Sequence, residues 1–392
     1  MNQESFTLSG TGAAERVAWI IGVAGIALSV VGYFTQSDQF FFSWLVAFVF
    51  WTSIALGGLF FTLLHHLTHS TWSIVLRRLF ETTMRILPFM IVLLIPVFLG
   101  MHNLYHWSHA DAVAHDELLH HKAPFLNIPF FIIRSVVYFA IWAWLGFSLY
   151  KMSLVQDKHS SPELTRRMHN FSAPGVVLFA FTTGFAAFDW LMSLDPHWYS
   201  TIFGVYYYAG SAMAFMAFMI VVVMQFRHKG ILKSVISEEH DHDLGKLLFT
   251  FMVFWAYMAF SQYFLIWYGN IVEETVWFSA RWVGSWKFAS LMLAIGSFAV
   301  PFLILMIRSV KRNPHSLLMM AIWLLIMHWL DMYWLAMPVL HPDGMVLSWI
   351  DATTMLGMGG LFVGLFLTQL RKQPIVPVGD PRLQDSIHFI NQ

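Results

Sequence analysis

The chain contains no cysteine and little charge. Without a thiol it can form no disulfide, thiolate zinc site or iron–sulfur cluster, and it can attach no c-type haem covalently. Charged residues make up 11% of the 392 positions, against roughly 25% in ordinary soluble domains. Basic and acidic residues balance at 22 each, so nothing suggests a nucleic-acid partner. Long polar stretches are also missing, which leaves no room for a soluble catalytic domain. The prior of one domain per ~150 residues therefore does not apply.

What fills the chain is apolar. Hydrophobic residues reach 58% and aromatics 17%, with a mean hydropathy of +0.63. The expected class is an all-α integral membrane protein in contact with the lipid bilayer, with one polytopic domain over residues 1–370 and a polar tail at 371–392. The first apolar stretch, near 17–33, lacks a small-residue cleavage site and reads as a span or anchor rather than a signal peptide.

A spanning helix needs about 20 mainly apolar residues. Ten stretches qualify: 14–33, 42–64, 85–103, 128–150, 173–194, 202–226, 245–267, 287–307, 316–338 and 348–370. Backbone groups in lipid must be satisfied internally, so these are expected to be helices. All but Lys122, Arg134, Arg281 and Lys287 of the 22 lysines and arginines fall on one side of the alternation. By the positive-inside rule both termini are then cytoplasmic. The two longer outer loops are 104–127 and 268–286. The first carries His102, His106, His109, His115, His120 and His121; the second is aromatic and suited to lie along the interface. The tail, with its prolines, reads as an extended cytoplasmic arm that would be loose in isolation.

Ionisable residues inside a membrane cost about 2.5–3.5 kcal/mol each on insertion scales and usually face a bundle interior. Three groups stand out. Asp189 lies near the outer end of the fifth span, and His328 and Asp331 lie in the ninth. His65, His66 and His69 close the second span on the basic side. "DWLMSLDP" from Asp189 and "DMYWLAMP" from Asp331 each reach a proline seven residues on, which suggests a parallel repeat of spans 2–5 and 6–9. Residues three apart on a helix share a face, so His328 and Asp331 can touch. Histidine titrates near neutrality and burial raises a carboxylate, so such a pair can pass protons. The alternative is structural, with both groups hydrogen-bonded to neighbouring helices through Tyr333 or a tryptophan.

Other features carry less chemistry. His65 and His69, four apart, could face a haem, with His169 as the one candidate partner. His102 and His106 have the spacing of a zinc pair but read better as polar loop, as do Glu273 and Glu274. Asp195-Pro196-His197 is turn chemistry at a helix end. Pro88, Pro96 and Pro301 are expected kinks. The paired glycines (Gly57, Gly58, Gly357, Gly359, Gly360, Gly364) suit close helix packing.

The stretch "FAAFDWLMSLDPHWYSTIFGVYYYAG" (185–210), the ten-span layout and the "HWLDMYW" span resemble the F-type (ActF-type) membrane subunit of bacterial alternative complex III, within the NrfD/polysulfide-reductase membrane-subunit family. The layout matches over residues 10–370, and the fifth-span stretch is the specific part. The resemblance implies two four-helix bundles, spans 2–5 and 6–9, flanked by spans 1 and 10. It also implies a quinol:electron-acceptor oxidoreductase in a bacterial cell membrane, serving a respiratory or photosynthetic chain. Quinol would be oxidised at a related C-type membrane subunit and electrons passed to iron–sulfur and multi-haem c-type subunits. This chain would bind no redox cofactor of its own and would contribute a proton pathway through Asp189, His328 and Asp331, with uptake at His65, His66 and His69. Two other readings stay open. One is quinol binding by this chain itself, at Asp189 with His197 or at His328 with Asp331 beside Tyr333. The other is a free-standing secondary transporter, for which matched broken helices at the midplane are the expected sign.

Overall fold

The computed structural model describes Leu8 and residues 11–390; the remainder of the expected membrane domain's start and the tail's Asn391 and Gln392 lie outside the described residues. Ten helices are long and apolar enough to cross a membrane. They are α1 (Gly12–Thr35), α2 (Ser37–Leu67), α3 (Ile74–Leu99), α4 (Ile128–Lys158), α5 (Pro162–Leu194), α6 (Phe203–His228), α7 (Glu238–Gly269), α8 (Trp286–Met306), α9 (Pro314–Val339) and α10 (Trp349–Leu370). No strand occurs among the described residues. These facts make the chain a multi-pass membrane protein.

The helix starts follow ordinary capping chemistry. Asn127, Ser161, Asn313 and Ser348 each accept a backbone N–H of the first turn, and a proline follows within the first two positions at α4, α5 and α9. Proline fits there because its missing N–H would be unpaired anyway. Pro96 lies inside α3, and a π-helical stretch, Leu293–Ala299, precedes Pro301 in α8. Both interruptions fall where the sequence predicts kinks.

Packing sorts the helices into connected neighbours. Helix α2 meets α3 and α5, and α4 meets both α3 and α5. Helices α7 and α9 each meet α6 and α8. The two sets join where α2 and α5 contact α6, and where α2 contacts α9. Helix α1 lies on α10, which in turn lies on α2. This places α2 at the centre, with 94% of its most apolar window buried inside the protein.

Small residues set the closest approaches, as expected where lipid supplies no hydrophobic drive between helices. Gly25 faces Gly357, and a Cβ on Gly25 would stand 2.5 Å from the Gly357 Cα. Gly57 lets α2 close on α6; a Cβ there would stand 2.2 Å from the Phe215 Cβ.

Several boundaries differ from the sequence expectation: α5 starts at Pro162, not 173, α4 runs on to Lys158, not 150, and α7 starts at Glu238, not 245. Helix α3 starts at Ile74, not 85, so Arg77 and Arg78 lie within the helix rather than in a loop. The helix can carry them because both are compensated. Arg77 meets Glu81 and Asp380 at 3.2 and 2.5 Å, while Arg78 meets Glu81 at 2.9 Å and also Asp157. The tail is not loose: Ile375, Val376, Asp380 and Leu383 are buried. Besides the Arg77–Asp380 pair, Arg382 donates to the His69 carbonyl at 2.7 Å and Ser386 to the Trp72 carbonyl at 3.1 Å. The arm thus closes over the end of the molecule where α1 and α10 also meet, through Arg371 and Glu15 at 2.6 Å.

Candidate functional site

The two aspartates that look alike in sequence sit in unlike surroundings. Asp189 is fully buried and ion-paired. Arg134, nearly two turns inside α4, donates through Nε at 2.9 Å and Nη2 at 2.7 Å, and the Tyr138 hydroxyl donates at 2.7 Å. Arg134 also donates to the Phe125 carbonyl at 2.8 Å and stacks over the Phe125 and Phe130 rings. A planar guanidinium bidentate to a carboxylate is among the stronger pairs a protein can form. Asp189 is therefore clamped by a fixed cation, which suits anchoring α4 to α5.

Asp331 has no such cation. The Tyr206 hydroxyl of α6 donates to its Oδ1, and the Trp255 Nε1–H of α7 donates to its Oδ2 at 3.0 Å. Both partners are neutral, and no basic side chain lies within 4.0 Å of it among the described residues. Asp331 thus ties three helices together through two hydrogen bonds and leaves its charge state to its surroundings.

His328, one turn deeper on α9, is not hydrogen-bonded to Asp331, contrary to the expectation from their spacing. Its Nε2 shares a hydrogen bond with the Ser53 hydroxyl of α2 at 2.8 Å, and its ring lies 5.3 Å from that of Phe50. Gly210 makes room for the imidazole: a Cβ there would come 3.1 Å from His328 Cε1. The His328 Nδ1 is buried with no partner. Both residues share a face, but each finds its partner on a different helix, so the shared face does not become a bond.

Beyond His328, toward the end with the basic residues, the interior turns apolar. Phe61 stacks on Phe215 at 5.3 Å, with Phe80 and Phe251 at 5.3 and 5.1 Å from one or the other. Past this aromatic layer lie His65 and His66. His65 bonds Ser73 at 2.7 Å, and the Nε2 atoms of both are buried without partners. His69 adopts a left-handed φ of 49° and stacks on His169 with ring centroids 4.4 Å apart. The His169 Nδ1 donates to the His66 carbonyl at 3.1 Å, so His169 packs against this cluster rather than across from it. Burial, then the neighbouring His169, hold the His69 pKa below its ordinary value.

The remaining sequence candidates are placed as follows. His197 meets Asp116 of the 104–127 loop at 2.6 Å, in the open, and not Asp189. The Asp116 carboxyl is held below its usual range, first by that contact. The Tyr333 hydroxyl donates to the Val346 carbonyl. Among the histidines of the 104–127 loop and its approach, His109 donates through Nε2 to the His102 carbonyl at 2.7 Å, and its ring lies 5.1 Å from that of His102. No group of three metal-binding side chains is gathered among the described residues. The 268–286 loop contains the helix Val272–Ala280.

Two features escape a sequence reading. One is Asp351, buried at the start of α10, which accepts from Ser43 at 2.5 Å and Gln39 at 3.1 Å, with His341 on the far side of Gln39 at 2.7 Å. The other is a cavity of about 870 Å³ between α7 and α8, lined by Tyr206, Trp255, Gln262, Arg281, Trp282 and Trp334. Two of those residues, Tyr206 and Trp255, are the donors to Asp331.

Comparison with protein-family models and with curated proteins returned no match, so the functional reading rests on the residues just described.

Proposed function

We propose that the chain is an integral membrane subunit of a quinol:electron-acceptor oxidoreductase of the alternative complex III type, holding no redox centre and offering a proton-exchange site at Asp331. In this reading α2–α5 and α6–α9 are two four-helix bundles flanked by α1 and α10. Both termini are cytoplasmic, and the membrane is the bacterial inner membrane. The partners are a C-type quinol-oxidising membrane subunit and iron–sulfur and multi-haem c-type subunits.

The observation that carries the proton role is the contrast between the aspartates. A buried carboxylate without a counter-charge is costly, and Asp331 meets only a phenol and an indole. Such a group changes charge with its surroundings far more readily than one clamped by arginine. His328 lies one turn deeper with a free Nδ1. The path from there toward His65 and His66 crosses the Phe61–Phe215 layer, so transfer across the membrane requires those rings to turn. Asp189 drops out of the exchange role and serves as an anchor.

The test is Asp331→Asn in the native assembly, with quinol turnover and proton release measured separately. Proton release should fall while quinol still binds. Unchanged turnover and unchanged proton release would remove Asp331 from the pathway, and copurification without haem c subunits would favour a transporter. The cavity beside Tyr206 and Trp255 supports a second reading, quinol binding by this chain, and loss of quinol binding in Asp331→Asn would select it.

A further inference from the structure

The 870 Å³ cavity falls within the ~300–1,000 Å³ typical of ligand sites. Its mouth is framed by Phe260, Tyr263 and Trp282, all exposed and apolar. On a membrane helix such a mouth opens toward acyl chains. Its inner wall holds Arg281, which is 4% exposed.

Arg281 is the unusual part. Its Nε donates to the Trp334 carbonyl at 3.2 Å, Nη1 to Trp277 at 2.9 Å and Nη2 to Leu335 at 2.9 Å. The guanidinium lies 3.4 Å from the Trp277 ring centroid. A guanidinium has five N–H donors, so three carbonyls leave two for another acceptor. No carboxylate lies within 4.0 Å among the described residues. Burial brings its pKa down to about 9, which leaves it charged at neutral pH. In the first helix set the comparable outer cation, Arg134, is neutralised by Asp189. Arg281 instead caps the carbonyls just past Asp331, and the carboxylate that acts on it, Asp195, stands beyond ion-pair distance.

A buried cation, a lipid-facing apolar slot and a position near the end of α9 together call for an anion that arrives with an acyl chain. We infer that the cavity between α7 and α8 holds one anionic phospholipid, its phosphate on Arg281 and one chain in the slot beneath Phe260 and Trp282. Gln262, whose Oε1 accepts from Ser200 at 3.3 Å, places its amide group on the same wall. A neutral quinol ring would fit the walls but bring no anion to the two remaining N–H donors. The lipid staples α7 to α8 across a gap that protein side chains leave unfilled.

The test uses the full chain in nanodiscs of phosphatidylglycerol and phosphatidylcholine, followed by delipidation and native mass spectrometry. The wild type should retain one phosphatidylglycerol with about tenfold preference over phosphatidylcholine. Arg281→Met should abolish that preference. Because Arg281 also binds backbone carbonyls, Ala259→Trp provides a second arm: it fills the slot, leaves the guanidinium intact and should lose the lipid too. Equal phosphatidylglycerol retention in all three proteins would overturn the site. So would a retained mass corresponding to a quinone, or displacement of the lipid by inorganic phosphate alone.

Discussion

Replacing each of the two intramembrane aspartates by asparagine separates an anchor from an exchange site. In Asp189→Asn, Arg134 stays 8% exposed in its pocket and loses two charge-assisted bonds. Breaking a buried pair from one side costs about 3–5 kcal/mol, because the other charge is left unpaired. The Phe125 carbonyl and the two stacked rings remain on Arg134, which puts the value at the lower end, about 3 kcal/mol. In Asp331→Asn no cation is stranded. The new side chain keeps a carbonyl oxygen for Tyr206 but turns an amide toward the Trp255 N–H. One hydrogen bond is lost, at about 1 kcal/mol. The expected gap between the two variants is therefore about 2 kcal/mol. Equilibrium unfolding in detergent of both, together with Arg134→Met and the double variant Arg134→Met/Asp189→Leu, measures it. The double variant should recover most of the loss, since both charges leave together. Equal destabilisation of Asp189→Asn and Asp331→Asn would refute the assignment, as would a double variant no better than its worse parent.

Three further outcomes follow from the packing. Gly25→Leu places a side chain where a Cβ alone stands 2.5 Å from Gly357; α1 should come away from α10, seen as faster protease cleavage near residue 36 with the rest of the chain intact. Asp380→Ala removes the partner of Arg77, and amides of 371–390 should exchange at least tenfold faster, while those of α6 stay unchanged. The arm should also respond to pH. His69 has a lowered pKa when folded, so the unfolded turn binds protons more readily. Its contribution is complete above the ordinary histidine value of about 6.5 and is lost as pH falls below it. His65, His66, His169, Arg77 and Arg382 all face this turn with like or potential positive charge. Protection factors of the arm's amides, with the intrinsic pH dependence of exchange divided out, should therefore fall between pH 7.5 and 5, and His69→Gln should flatten the response.

Much of the fold could be read from apolar runs because lipid imposes a length and forbids unpaired backbone. The ten spans and the glycine contacts at Gly57, Gly357 and Gly360 came through that constraint. Charge was misleading where it was compensated from afar. Arg77 and Arg78 resemble a loop until Asp157 and Asp380 are brought beside them, and neither acid is near in sequence. Arg134 reads as an interfacial cation, yet it reaches Asp189 on the next helix. The Asp189–Asp331 likeness is real as a spacing, but a motif describes one helix and a carboxylate's character belongs to its neighbours. The docking of the tail could not be read at all, because small numbers of buried contacts with α3 and the 68–73 turn decide it.

The position of α2 has a mechanical consequence. One continuous helix carries Ser43 against Asp351 at one end, Ser53 against His328 near its middle, and His65 against Ser73 at the other. A sub-ångström slide or roll of that rod would alter all three contacts together. A shift that broke the His65–Ser73 contact beside the arm would reach the hydrogen bond on His328, about 20 Å away along the helix, through the rod itself.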